Sequence, residues 1–213
     1  MRLLVDTADP AAVRHAAALG YVWGVTTNPT LLRRARLRRS DLGAWVRAVP
    51  DSLREIHLQV LADDADGMVD DARTLHALDP ARVVVKIPAT SAGYRAARLL
   101  VLGGVPVTVT AVCAVRQVVL AAAVGARYAA VYVGRLPGDR WELLRRILAA
   151  ARLPGSALQV LAASVRTAAE VERLAVLGVP AATLPAAVLG ALPDVPATTA
   201  AVRRFRADAA RLR

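Results

Sequence analysis

The sequence predicts an α/β fold, a (β/α)8 TIM barrel with an additional C-terminal helix. Three observations carry this. Short β-like runs recur along 213 residues, Ala-, Leu- and Arg-rich segments of good helix propensity separate them, and the strands number eight at spacings of about 25 residues. The strand candidates are LLVD (3–6), VWGVT (22–26), IHLQVL (56–61), RVVVKI (82–87), PVTVTAV (106–112), YAAVYV (128–133), ALQVLAA (157–163) and AATL (181–184).

Helical candidates follow these runs: PAAVRHAAALG, DADGMVDDARTLHAL, SAGYRAARLLVLGG, AVRQVVLAAAVGA, RWELLRRILAAARLPG and TAAEVERLAVLGV. Asp9 before Pro10 is an N-cap followed by a first-turn proline, and Gly20, Gly103, Gly125, Gly155 and Gly178 stand where helix C-termini take glycine. The first strand runs into DTADP with no GxGxxG turn, which argues against an open dinucleotide-binding sheet. The chain is shorter than the usual barrel of about 250 residues, so its loops must be short. One domain is expected over residues 1–213, with residues 197–212 as an amphipathic extension anchored by Val202, Phe205 and Leu212. That extension caps the barrel or packs on another subunit.

Composition narrows the class. The chain is 56% hydrophobic but only 4% aromatic, so its core is built from Ala, Val and Leu. A single cysteine, Cys113, excludes an internal disulfide framework and suits a reducing compartment. Asp6 and Asp9 fall where a secretory leader needs an apolar core, and no apolar run is free of charges for the ~18 residues a membrane span requires. A cytoplasmic protein is expected. The net charge of +11 suits phosphorylated ligands or nucleic acid. The basic run RRARLRR (33–39) has no aromatic or zinc-ligand pattern beside it, so it is expected to be a solvated helix face or loop.

Of 28 basic residues only Lys86 is a lysine, and it ends the apolar run VVVKIP. Arginine stays protonated and forms no imine, whereas a desolvated lysine loses its proton near neutrality and attacks a carbonyl. In a (β/α)8 barrel, chemistry comes from the C-terminal strand ends. Polar residues collect there: Asp6, Thr26 with Asn28, Gln59, Thr108 and Thr110, Tyr132, and Ser164. A lysine with a carboxylate, a phenol and hydroxyl or amide groups is what imine chemistry on a ketone needs, with Asp6, Gln59, Thr110 or Tyr132 moving protons. Arg135 and Arg166, with Ser164, form a candidate phosphate clamp. His15, His57 and His76 are scattered and pair with no ligand, so no metal is expected, and His57 is placed before the alternation of the third strand as a structural residue.

These stretches, with GVTTNPTLL, YVGRL, LAASVRTAAEV and GVPAATLP in order, resemble the small transaldolase family, in particular its fructose-6-phosphate aldolase-like members. The resemblance implies a cofactor-free enzyme with Lys86 as Schiff-base residue and Asp6 in proton transfer. It further implies Asn28 lining the site, Thr110 holding a water, and Arg135, Ser164 and Arg166 holding phosphate. Gln59 and Tyr132 match the aldolase-like members, where transaldolases proper carry glutamate and phenylalanine. Thr108 departs from a common asparagine. The expected activity is cleavage of fructose 6-phosphate to dihydroxyacetone and glyceraldehyde 3-phosphate. The alternative is transfer of the dihydroxyacetone unit between sugar phosphates, such as sedoheptulose 7-phosphate and glyceraldehyde 3-phosphate, in a homo-oligomer of five or ten subunits. A non-catalytic, nucleic-acid-binding barrel and a Schiff-base barrel acting on a deoxyribose phosphate are the rivals.

Overall fold

The structure is a computed structural model that describes residues 1–212; Arg213, the last residue of the expected domain, lies outside them. Eight parallel strands close into a barrel in sequence order: β1 (Arg2–Asp6), β2 (Val22–Thr26), β3 (Glu55–Gln59), β4 (Val83–Pro88), β5 (Val107–Val112), β6 (Tyr128–Tyr132), β7 (Gln159–Ala163) and β8 (Ala181–Leu184). The helices are α1 (Pro10–Ala18), α2 (Pro29–Arg34), α3 (Leu42–Ala48), α4 (Ala65–His76), α5 (Ser91–Leu102), α6 (Val115–Ala123), α7 (Arg140–Ala151), α8 (Ala168–Val176), α9 (Ala186–Ala191) and α10 (Pro196–Ala210).

Alternation along each strand divides the core. In β4, Val83, Val85 and Ile87 join the large cluster that includes helix residues such as Met68 and Leu100, while Val84 joins Leu4, Tyr128, Ala130, Leu161 and Ala181 in a smaller one inside the barrel. Lys86 shares the inward parity of Val84 and so comes out in the interior at the strand's end. Register then gathers the neighbours: Asp6 pairs with Thr26, Gln59 with Lys86, and Lys86 with Thr108.

Local chemistry sets the helix ends. The Asp9 carboxylate accepts from Ala11 N–H at 3.0 Å, Asp64 caps α4 at Gly67 and Thr90 caps α5 at Gly93. Gly20, Gly125, Gly155 and Gly178 take the left-handed conformation expected after helices, but Gly103 does not; Gly104, at φ +79°, makes that turn. The connection between β2 and β3 contains two helices, α2 and α3, where the sequence showed only the basic run. Arg33 and Arg34 end α2 in solvent, as a solvated face requires.

The terminal helix departs from expectation. α10 buries none of its residues, and Val202, Phe205 and Leu212 are 40%, 60% and 89% exposed. They anchor nothing within the described chain, and the helix does not cap the barrel. The amphipathic pattern is present, but a face of widely spaced apolar residues does not specify what covers it.

Candidate active site

The cavity at the C-terminal ends of the strands is lined by Asp6, Thr26, Asn28, Lys86, Thr110, Tyr132, Arg135, Ser164 and Thr183, over an apolar wall of Ala130, Leu161 and Ala163. Lys86 is 5% exposed. Burial pushes its amine down and the Asp6 carboxylate pushes it back up, leaving a pKa of about 8. Its Nζ donates to the Thr27 carbonyl at 2.5 Å.

Asp6 is held by a line of hydroxyls. Thr26 donates to Asp6 Oδ1 at 2.6 Å, and with that proton committed Thr183 donates to Thr26 at 2.6 Å. Asn28 has two tasks: its Oδ1 caps α2 through Leu31 N–H at 3.0 Å, which leaves the amide NH2 for the cavity. Thr110 is buried and its hydroxyl has no partner among the described residues, so its unspent hydrogen-bonding capacity belongs to the cavity it lines. Next to it, Ala111 sits at φ +62° where the register between β5 and β6 slips. This bulge turns the strand just past Thr110.

The opposite wall is cationic. The Arg135 guanidinium lies 5.0 Å from the Tyr132 ring centroid, a cation–π contact that holds it at the rim. Ser164 presents its hydroxyl from a left-handed backbone, φ +60°. Gly134 makes that approach possible, since a Cβ there would stand 2.7 Å from the Ser164 carbonyl and 2.8 Å from its hydroxyl.

Three expected site residues stand apart from this wall. Gln59 lines the outer mouth of the cavity with Asp6, Asn28, Tyr132 and Arg135. Arg166 is exposed; its backbone N–H bonds Glu170 Oε2 at 2.7 Å as the chain turns into α8, and its side chain lines neither part of the cavity, so Arg135 and Ser164 meet without it. Thr108 lies beneath the cavity, fully buried, with Oγ1 3.0 Å from His57 Nδ1. His57 itself lies within β3 rather than before its alternation, with both ring nitrogens partnered inside the barrel. Thr183 and the Thr27 carbonyl went unread in the sequence. Thr183 is the one polar side chain of AATL, a signal that parity could have used; a backbone carbonyl leaves no trace in composition.

Fold and site together define a (β/α)8 barrel whose polar cavity opens at the C-terminal strand ends, the place where barrel enzymes work. The chain belongs to the transaldolase/fructose-6-phosphate aldolase family, whose model it matches over residues 3–212, and is an enzyme of that transaldolase/aldolase class. It is 35% identical to a probable transaldolase of Thermus thermophilus over 98% of this chain and 97% of that protein. It is 35% identical to one of Heliobacterium modesticaldum over the same shares, and 37% identical to one of Desulfitobacterium hafniense over 98% of each. A solved structure described as native KDPGal shares the fold, with TM-score 0.60 at 15% identity over 86% of this chain and 82% of that one.

Proposed function

We propose that the protein is a class I aldolase that cleaves fructose 6-phosphate and catalyses the reverse addition, with Lys86 as the imine-forming residue. The observation that carries this is a lone buried amine with a pKa of about 8, in a cavity that also holds a carboxylate, a phenol and a guanidinium. Lys86 attacks the C2 ketone and water leaves as the imine forms. Asp6 takes the C4 hydroxyl proton, the C3–C4 bond breaks, and its electron pair passes into the imine to give an enamine while glyceraldehyde 3-phosphate departs. Protonation and hydrolysis then release dihydroxyacetone. Arg135 and Ser164 hold the phosphate, and Arg166 reaches in from the rim when it arrives. No cofactor takes part in this scheme.

Transfer of the enamine to an acceptor such as erythrose 4-phosphate is the second reading; the family takes in both activities. The lean toward free aldolase rests on Gln59 at the mouth and Tyr132 on the wall. A phenol there supplies the proton that a glutamate-activated water would otherwise bring. Membership of this family weighs against a non-catalytic nucleic-acid-binding barrel. Borohydride reduction in the presence of dihydroxyacetone should add one adduct at Lys86, located by intact mass against an N-terminally blocked control. An unmodified Lys86 under turnover would end the proposal. Fructose 6-phosphate cleavage measured with and without erythrose 4-phosphate separates the two readings: cleavage independent of acceptor marks the aldolase, strict dependence the transaldolase.

A further inference from the structure

The floor beneath Lys86 is a chain of hydrogen-bonded polar groups that the reaction does not use. His57 is its junction. Nε2 lies 3.2 Å from Glu55 Oε2 and Nδ1 lies 3.0 Å from Thr108 Oγ1. A carboxylate only accepts, so Nε2 carries the ring proton and Nδ1 receives the Thr108 hydroxyl. Glu55 is pinned in turn: Arg127 donates to it at 2.6 Å and the Tyr128 hydroxyl at 3.2 Å, and Arg2 donates to that hydroxyl at 2.8 Å. The imidazole therefore has both ends bonded and no freedom to turn.

The backbone of the same residue reaches the amine. The His57 carbonyl accepts both the N–H and the hydroxyl of Thr27 at 3.0 Å, and the Thr27 carbonyl accepts Lys86 Nζ. Thr108, held by the ring, is also the register partner of Lys86 on β5. One residue, through its ring on β3 and β5 and its carbonyl on the Thr27 turn that follows β2, thus gathers these elements around the reactive end of β4. Burying such a carboxylate–imidazole pair costs desolvation that packed aliphatic residues would not, so the network calls for a role other than stability.

We propose that His57 is a positioning residue for Lys86: locked between Glu55 and Thr108, it fixes the Thr27 carbonyl that holds the amine and so sets where the amine stands before attack. This rests on the imine reading of Lys86 above. It also reassigns Thr108 from substrate binding to the floor.

The test compares Thr108→Val, Thr108→Ser, His57→Leu and His57→Gln with the wild type. Steady-state cleavage of fructose 6-phosphate and the rate of borohydride trapping by dihydroxyacetone are the readouts. Misplacing a reactive group by ~1 Å costs about 100-fold, so Thr108→Val and His57→Leu should lose about 10- to 100-fold in kcat and in trapping rate, with KM within about threefold. Thr108→Ser and His57→Gln keep the hydroxyl or the donor–acceptor pair and should recover most of both. Thr108→Val is nearly isosteric and decides the matter if His57→Leu fails to fold by circular dichroism. A raised KM at unchanged kcat in Thr108→Val would return Thr108 to the substrate and overturn the proposal. Variants trapped at the wild-type rate would overturn it too while leaving the imine reading intact; a wild type that is not trapped at all would remove the imine reading itself.

Discussion

At the scale of the residue, the burial of Lys86 couples stability to pH, and the imine role proposed for it would couple activity to pH as well. Attack needs the neutral amine, so kcat/KM should rise about tenfold per pH unit below about 8 and flatten above it, measured on fructose 6-phosphate. Asp6→Asn should keep the fold and lower kcat by ~100-fold or more, the range general-base loss covers. The stability effect has a definite sign. The folded pKa of about 8 lies below the unfolded 10.5, so between these values the unfolded chain binds more protons and stability rises with pH. Below about 8 the buried charge costs of order 3 kcal/mol. Lys86→Met should therefore be more stable than wild type at pH 7 by up to that amount, and the gap in urea midpoints should close from about pH 8 to 10.5; an equal gap throughout would contradict the desolvated amine.

At the scale of the element, strain sits beside the cavity. Ala111 and Ser164 take left-handed backbones that L-residues adopt at a cost of about 1 kcal/mol or more. Ala111→Gly should raise unfolding stability by about 0.5–1 kcal/mol in urea titration, leaving Thr110 in place. Gly134→Ala should do the reverse to function: its methyl would displace Ser164, so KM for the phosphorylated substrate should rise while that for unphosphorylated fructose changes little. The strands were legible to within two residues at their ends because their β-branched runs stand between well-marked caps. That Asp6, Thr26, Asn28, Lys86, Thr110, Tyr132, Arg135 and Ser164 come together in one cavity was legible from their strand-end positions. The depth of Thr108 was not legible, because it shares that parity yet sits one layer lower, bonded to His57, a level set by barrel stagger. The place of Arg166 at the exposed rim was not legible, because a long side chain beyond the strand end has many directions and position does not choose among them.

At the scale of the whole molecule, α10 stands off the barrel with Val202 and Phe205 exposed. In line with the family resemblance, it is expected to pack on a neighbouring copy in a pentamer or decamer. Light scattering should report a mass of five or ten chains, and deletion of residues 196–213 should dissociate the assembly; a monomeric full-length chain would exclude this. Strand number, spacing and caps were enough to specify the barrel, and composition was enough to single out the one side-chain amine able to form an imine, because these depend on local periodicity and on side-chain identity. Closure of the barrel added what the linear chain does not hold: Thr108 and His57 form the floor beneath that amine, Thr27 offers it a carbonyl, Arg166 stays at the rim and α10 leaves the barrel. Those are matters of stagger, depth and backbone direction, which arise when eight strands close and which no single segment encodes.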